Sequence, residues 1–264
     1  MKVSEVLCKS ILVRSRIYGV DYAINPYTGC EHNCAYCYAI FMKRYRSYPE
    51  EWGEFVDVKV NAPTILRKQI KTIKKGRVLF SSVTDAYQPV EKRYEITRKC
   101  LQQLQNTSFY VSILTKSSLV ARDIDLLQNF SCEVGFTITT VDEDIKSVLE
   151  PKSSSVSERL EALQKVHEAG ISTYAFLGPI IPFLSDSQES INEIFDVLSD
   201  QVAYVIVDKM NLYNSAWKRI QSVLKKWRPE LISQFYSIKS DSHYEHILRK
   251  RIVEAATVPV EFCF

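Results

Sequence analysis

The 264-residue sequence lacks any run of about 18 uncharged apolar residues, the minimum for a helix that crosses a membrane. Its opening, MKVSEVLCKS, has no signal-peptide pattern. Neither GxGxxG nor GxxxxGKS/T follows any apolar run, which weighs against folds that cradle nucleotide phosphates on a glycine-rich turn. There is little charge of one sign in excess: 34 Lys and Arg face 31 Asp and Glu, a net +3, so composition alone demands no polyanionic partner. No proline-, glycine- or serine-rich linker divides the chain. One domain over residues 1–264 is therefore expected, with a core at about 14–210 and a helical extension at about 211–264. What is present, 46% hydrophobic and 25% charged residues, suits a soluble globular protein. Seven cysteines stand out: Cys8, Cys30, Cys34, Cys37, Cys100, Cys132 and Cys263. Their count is odd and three fall within eight residues. That argues against a disulfide framework and for a reduced, cytoplasmic protein with no membrane partner.

Six short β-branched or aromatic runs read as buried parallel strands: Tyr22–Asn25, Val78–Val83, Phe109–Leu114, Val134–Thr140, Thr173–Leu177 and Ala203–Val207. Helical spacing lies between them. Glu91–Leu104 places Ile96, Cys100, Leu101 and Leu104 on one face, and Ser190–Leu198 does so with Ile191, Ile194, Phe195 and Leu198. Ser157–Glu168 turns Leu160, Leu163 and Val166 inward, with Ser157 as N-cap and Gly170 as the stop. Ser-rich Lys152–Ser157 reads as a βα loop. The alternation implies right-handed βαβ units, an α/β protein with a mostly parallel sheet, either doubly wound or a partial barrel.

The chemistry concentrates in Asn25-Pro26-Tyr27-Thr28-Gly29-Cys30-Glu31-His32-Asn33-Cys34-Ala35-Tyr36-Cys37-Tyr38, after the first strand. Asn25-Pro26 and Gly29 mark a tight loop, so the thiols sit on irregular backbone. Gaps of three and two residues let such a loop wrap a polynuclear centre, and thiolates are the soft ligands that iron–sulfur clusters select. Three ligands leave one iron of a [4Fe-4S] cubane open. Zinc, recruiting His32 or a distant cysteine, is an alternative, although no second Cys-x2-Cys pair exists. Three unligated core cysteines are another. Cys8, Cys100, Cys132 and Cys263 are too scattered in sequence to suggest a second cluster, and His167, His243 and His246 read as structural or solvated.

Cys30-x3-Cys34-x2-Cys37 with Tyr38 behind it resembles the signature of radical S-adenosylmethionine (SAM) enzymes. Tyrosines on both sides of the third cysteine, Tyr36 and Tyr38, make it similar to the family of spore photoproduct lyase and its shorter DNA repair photolyase-like relatives. Ser81–Glu91, Thr115-Lys116-Ser117, Phe136–Thr140, Leu149-Glu150-Pro151 with Arg159-Leu160, and Gly178–Pro182 resemble that family's successive strand ends. The likeness runs from about Tyr22 to Asp208. It implies a partial (β/α)6 TIM-like barrel, with the cluster loop after the first strand and the site at the strands' C-terminal ends. It implies a [4Fe-4S] cluster and SAM as cofactors, and a flavodoxin- or ferredoxin-type electron donor. The reaction implied is reductive cleavage of SAM to methionine and a 5′-deoxyadenosyl radical that abstracts hydrogen from substrate.

Residue by residue, the resemblance puts Cys30, Cys34 and Cys37 on the cluster. It puts Ser82, Thr84, Asp85, Lys116, Thr137, Thr139 and Arg159 around SAM or substrate, Arg159 through a charge-assisted bond to the SAM carboxylate. Each has a plainer reading: Asp85 as a helix cap, Lys116 as a solvated charge, Thr137 as a β-branched strand residue, Arg159 as a surface partner of Glu158 or Glu161. The family's lyases carry a hydrogen-donating cysteine where this chain has Ser81 or Ser82, whose O–H bond is too strong for that task. Tyr36 and Tyr38 are then the candidate catalytic residues, as a tyrosyl relay. True spore-photoproduct repair is one alternative function, and a non-catalytic metal- or nucleic-acid-binding protein another. Two acid-free basic stretches, Lys59–Arg77 with seven cations and Lys218–Arg228 with five beside Trp217 and Trp227, keep nucleic acid open as a partner. The plainer reading is that helices 64–75 and 216–227 carry solvated basic faces. Nothing in the sequence sets an oligomeric state.

Overall fold

The computed structural model describes residues 1–45, 48–198, 200–211, 215–239 and 243–264. Residues 212–214 and 240–242 of the expected helical extension lie outside these. Near the N-terminus, β1 (Lys2–Val6), β2 (Leu12–Arg14), β3 (Tyr22–Ile24), β4 (Tyr27–Thr28) and β5 (Phe55–Lys59) precede α1 (Ala62–Gln69) and β6 (Lys75–Phe80). The chain continues through α2 (Glu91–Tyr94), α3 (Ile96–Leu104), β7 (Ser108–Thr115), α4 (Ile124–Leu127), β8 (Cys132–Thr137), α5 (Glu143–Leu149) and α6 (Val156–Glu168). It closes with β9 (Ser172–Ile180), α7 (Gln188–Leu198), β10 (Val205–Lys209), α8 (Ser215–Trp227), α9 (Leu231–Lys239), α10 (Tyr244–Ala255) and β11 (Val260–Phe262).

Strands β3, β6, β7, β8, β9 and β10 are neighbours in that order and all parallel, a partial (β/α)6 barrel. They are the six apolar runs of the sequence. The register aligns Ile24, Phe80, Ile113 and Val134 across four strands, and all four are fully buried. Each such side chain contributes roughly 1.5–3 kcal/mol on leaving water, which is why a continuous apolar run suits a strand covered on both faces. Two edges were not evident from the sequence. Antiparallel β2 flanks β3, and β11 pairs in parallel with β10, so the C-terminal segment adds a strand as well as helices. A separate three-stranded sheet, β1-β5-β4, packs beside the barrel.

Several boundaries move for local reasons. The expected strand Val78–Val83 ends at Phe80, because Ser81 onward leaves the sheet to form the barrel mouth. The helix expected over Glu91–Leu104 is broken at Glu95, whose φ of 53° is left-handed, although its apolar face is buried as expected. The N-cap of α6 is Ser155 rather than Ser157: its hydroxyl accepts from the Glu158 amide while the Glu158 carboxylate receives the Ser155 amide, a reciprocal capping box. The serine-rich stretch therefore joins α5 to α6 rather than a strand to a helix. The basic helix expected at 64–75 is α1, which stops at Gln69.

Candidate active site

The C-terminal ends of the parallel strands surround a cavity of about 580 Å³. The loop after β3 supplies Cys30, Cys34 and Cys37 to its wall, together with His32, Tyr36 and Tyr38. Four clamps fix this loop. Gly29, at φ 88°, turns its carbonyl toward the second strand end, where it accepts from Thr84 Oγ1 at 2.6 Å and Gln88 Nε2 at 3.2 Å. Gln88 Oε1 takes the Glu31 amide at 2.8 Å, and the Glu31 carboxylate takes the Val90 amide at 2.6 Å. Further along, the Ala35 amide donates to Leu149 O at 2.8 Å and the Lys152 amide to His32 O at 3.4 Å, while the Tyr36 hydroxyl donates to Glu150. From α8, Arg219 donates to Asn33 Oδ1 at 2.5 Å.

Burial pushes all three thiols up: Cys30 well above its ordinary range, with the Asp85 charge and the other two cysteines adding to it, Cys34 to about 12, and Cys37 in the same direction. Buried cysteines of this kind become thiolates when a metal centre neutralises them. All three border one cavity, yet among the described residues no three His, Cys, Asp or Glu side chains converge closely enough for a single ion. His32 is held neutral, its pKa pushed down to about 4 by burial against the opposing pull of Asp85, whose carboxylate lies 3.5 Å from Nδ1.

The other expected residues divide into two groups. Ser82, Thr84, Asp85, Lys116 and Thr137 line the cavity. Ser82 accepts from Asn25 Nδ2 at 3.1 Å, and its carbonyl accepts from the Tyr38 hydroxyl. Asp85 is a turn-maker as well as a wall: it accepts from the Tyr87 amide, Thr115 Oγ1 and the Lys116 amide, each at 2.8 Å. The Lys116 ammonium lies 5.6 Å from the centre of the Tyr36 ring and has no carboxylate within ion-pair distance among the described residues. Ser81 is more than nine-tenths buried on the wall and its hydroxyl has no hydrogen-bond partner among the described residues.

Thr139 and Arg159 do not line the cavity, which corrects the expectation that they face SAM. Both lie behind its wall, bound to the fully buried Glu150. Thr139 donates to Glu150 Oε1 at 2.9 Å. The Arg159 guanidinium pairs with Glu150 and also donates to Thr137 O at 2.9 Å, Ser154 O at 3.0 Å and Ser153 Oγ at 2.5 Å. With its fork engaged, it reaches neither cavity nor surface, so the surface pairing with Glu158 or Glu161 fails too. Burial alone would raise Glu150, but the Arg159 and Lys116 charges and the bonds from Tyr36 and Arg159 outweigh it and hold the carboxyl near about 2. The sequence reading assigned Glu150 no role, although it lies within the quoted Leu149–Pro151 block. Asp208, at the end of β10, also lines the cavity, its carboxyl raised by burial.

Cys100 is fully buried in the core, and Cys132 sits at the opposite end of β8, where Sγ donates to Leu127 O at 3.3 Å. Neither Cys8 nor Cys263 lines the cavity.

The sequence matches the family model described as Radical SAM superfamily over residues 24–198, two-thirds of the chain. The chain belongs to the radical SAM superfamily. Among this radical SAM protein's relatives is uncharacterized protein MJ0683 of Methanocaldococcus jannaschii, 42% identical over 195 residues that make up 73% of each chain. A protein of Pseudomonas phage M6 named radical SAM Nalpha-GlyT isomerase is 23% identical over 223 residues, 82% of this chain and 45% of that one. In fold, it is similar to spore photoproduct lyase complexed with dinucleoside spore photoproduct, at a TM-score of 0.73 and 19% identity, covering 98% of this chain and 82% of that one. A double mutant of that lyase with bound AdoMet and dinucleoside spore photoproduct gives 0.71 at 18% identity, over 98% and 81%. No helix among the described residues is long and apolar enough to cross a membrane.

Proposed function

We propose that this chain is a radical SAM enzyme in which Cys30, Cys34 and Cys37 hold a [4Fe-4S] cluster and the adjoining cavity takes SAM and substrate. The observation that carries the reading is the placement of three thiols, two buried and one half-buried, on one clamped loop, opening into a cavity at the C-terminal ends of six parallel strands. When bound and reduced by a flavodoxin- or ferredoxin-type donor, the cluster supplies the electron that cleaves SAM to methionine and a 5′-deoxyadenosyl radical. The chain's own residues bind and shield. Lys116, without a carboxylate partner among the described residues, suits the SAM carboxylate, and Thr137 and the Ser82–Asp85 turn offer hydroxyl and carboxylate groups to the rest of the cofactor or to substrate. Tyr36 and Tyr38 face the same space as candidate redox-active side chains.

A reaction other than spore-photoproduct repair is favoured. Besides the three cluster candidates, no cysteine among the described residues lines the cavity, so no thiol stands ready to return a hydrogen atom to a product radical. Nucleic acid remains a substrate class that the exposed lysines of α8, Lys218, Lys225 and Lys226, would suit.

Anaerobic reconstitution should load about four irons and four sulfides per chain, and dithionite with SAM should then release 5′-deoxyadenosine. Cys34→Ala should abolish both. Zinc in place of iron, with no SAM cleavage under reducing conditions, would sink the reading. Incubation with the dinucleoside spore photoproduct should leave it unrepaired while SAM is still cleaved.

A further inference from the structure

Glu150 is fully buried and lies outside the cavity wall, yet four polar side chains converge on its carboxylate. Its Oε1 receives the Tyr36 and Thr139 hydroxyls and its Oε2 the Arg159 guanidinium. The residues beside it repeat the same connection through backbone, Leu149 O to the Ala35 amide and the Lys152 amide to His32 O. Residues 149–152 are thus laced to residues 32–36, the stretch that carries Cys34 and leads into Cys37. Tyr36 is the one side chain of that stretch that reaches through the wall: its ring faces the cavity beneath the Lys116 ammonium, and its hydroxyl ends on the buried carboxylate.

We propose that Glu150 is a positioning residue for the cluster loop, acting through the Tyr36 hydroxyl to fix the second and third thiolates relative to Lys116. The inference rests on the three-thiolate reading of the preceding section. A carboxylate suits the task because it accepts several strong bonds at once, and Arg159 compensates its charge inside the wall. The backbone bonds alone would hold the loop against the barrel. The Tyr36–Glu150 bond adds a fixed ring orientation, and with it the distance between the cluster and the cation that faces SAM.

Tyr36→Phe tests this with the ion pair left intact. Parent and variant are reconstituted anaerobically and compared for iron and sulfide content, thermal midpoint, the electron paramagnetic resonance spectrum of the reduced cluster with and without SAM, and KM for SAM. The expected result is an unchanged cluster content, a weakened SAM-induced change in the spectrum and a KM raised about tenfold, the size expected for losing a hydrogen bond to a charged group. Glu150→Gln, whose amide oxygen still accepts from Tyr36, should lie closer to the parent in KM than Glu150→Leu, whatever the two do to stability. A Tyr36→Phe protein with the parent's KM and SAM-induced spectrum would overturn the proposal. So would Glu150→Gln and Glu150→Leu with equal KM. A parent chain that loads no cluster would instead defeat the reading on which the inference rests.

Discussion

Arg159 and Glu150 form an ion pair with almost no water contact, and that burial decides what a change at either one does. Removing one partner strands the other charge, whereas removing both leaves a neutral pair of similar volume. Arg159→Met should lower the unfolding free energy by about 3–5 kcal/mol, and Glu150→Gln combined with Arg159→Met should recover much of it; denaturant titration of both variants checks this. The pair also sets a pH dependence. Glu150 titrates near about 2 in the folded chain, below the roughly 4.3 of an unfolded glutamate, so its stabilising contribution is complete above the unfolded value. It is lost as pH falls through the interval down to the folded value. Thermal midpoints measured between about pH 5 and pH 3 should therefore fall more steeply in the parent than in the double variant.

The element that decides the site is the loop between β3 and a 3-10 helix, Tyr38–Tyr45. Its conformation depends on Gly29, where a Cβ would stand 2.3 Å from Phe55 O in β5 at a φ that L side chains rarely adopt. Gly29→Ala should destabilise by roughly 1–3 kcal/mol and reduce the iron bound after reconstitution, because the displaced carbonyl loses Thr84 and Gln88. A variant with the parent's iron content would show that the loop re-forms without this turn. At this scale the sequence was legible wherever the signal is local. The three-cysteine spacing, the inward faces of α3 and α7 and the six apolar strand runs all reappear in the structure. The cap of α6 lies two residues from its expected place because four serines compete for it between Ser153 and Ser157, and only the geometry of Glu158 selects Ser155. The break at Glu95 was hidden because apolar spacing continues across it.

For the whole molecule, the parallel barrel separates its two ends. The cavity opens at the carboxyl ends of the strands, whereas the exposed Lys71 and Lys74 lie in the turn that enters β6 at its amino end and the exposed Lys75 opens that strand. Lys59, counted in the same basic stretch, donates to Asn25 O at 2.6 Å. The cations of α8 are different in kind, since Arg219 reaches Asn33 in the cluster loop and Ala216 lines the cavity. Charge reversal by Lys71→Glu with Lys74→Glu should leave cluster content and SAM cleavage at the parent's level, as read by iron analysis and 5′-deoxyadenosine release. A marked loss of either would show that the far end of the barrel communicates with the site.

Read along the chain, residue order was enough for the alternation of strands and helices, the superfamily and the three-cysteine motif. These are carried by periodicity and spacing within a few residues, and short-range geometry is the same in most folded contexts. Which polar residues face the cavity and which stand behind it came only from the packed barrel. Tyr36 meets Glu150 from 114 positions away, and Arg159 meets Thr137 from 22. Those partners are chosen by the register of the parallel strands and by the cost of burying a charge unpaired, neither of which leaves a local trace. Arg159 and Thr139 therefore stand behind the cavity wall, and Glu150 emerged as the carboxylate to which both are bound.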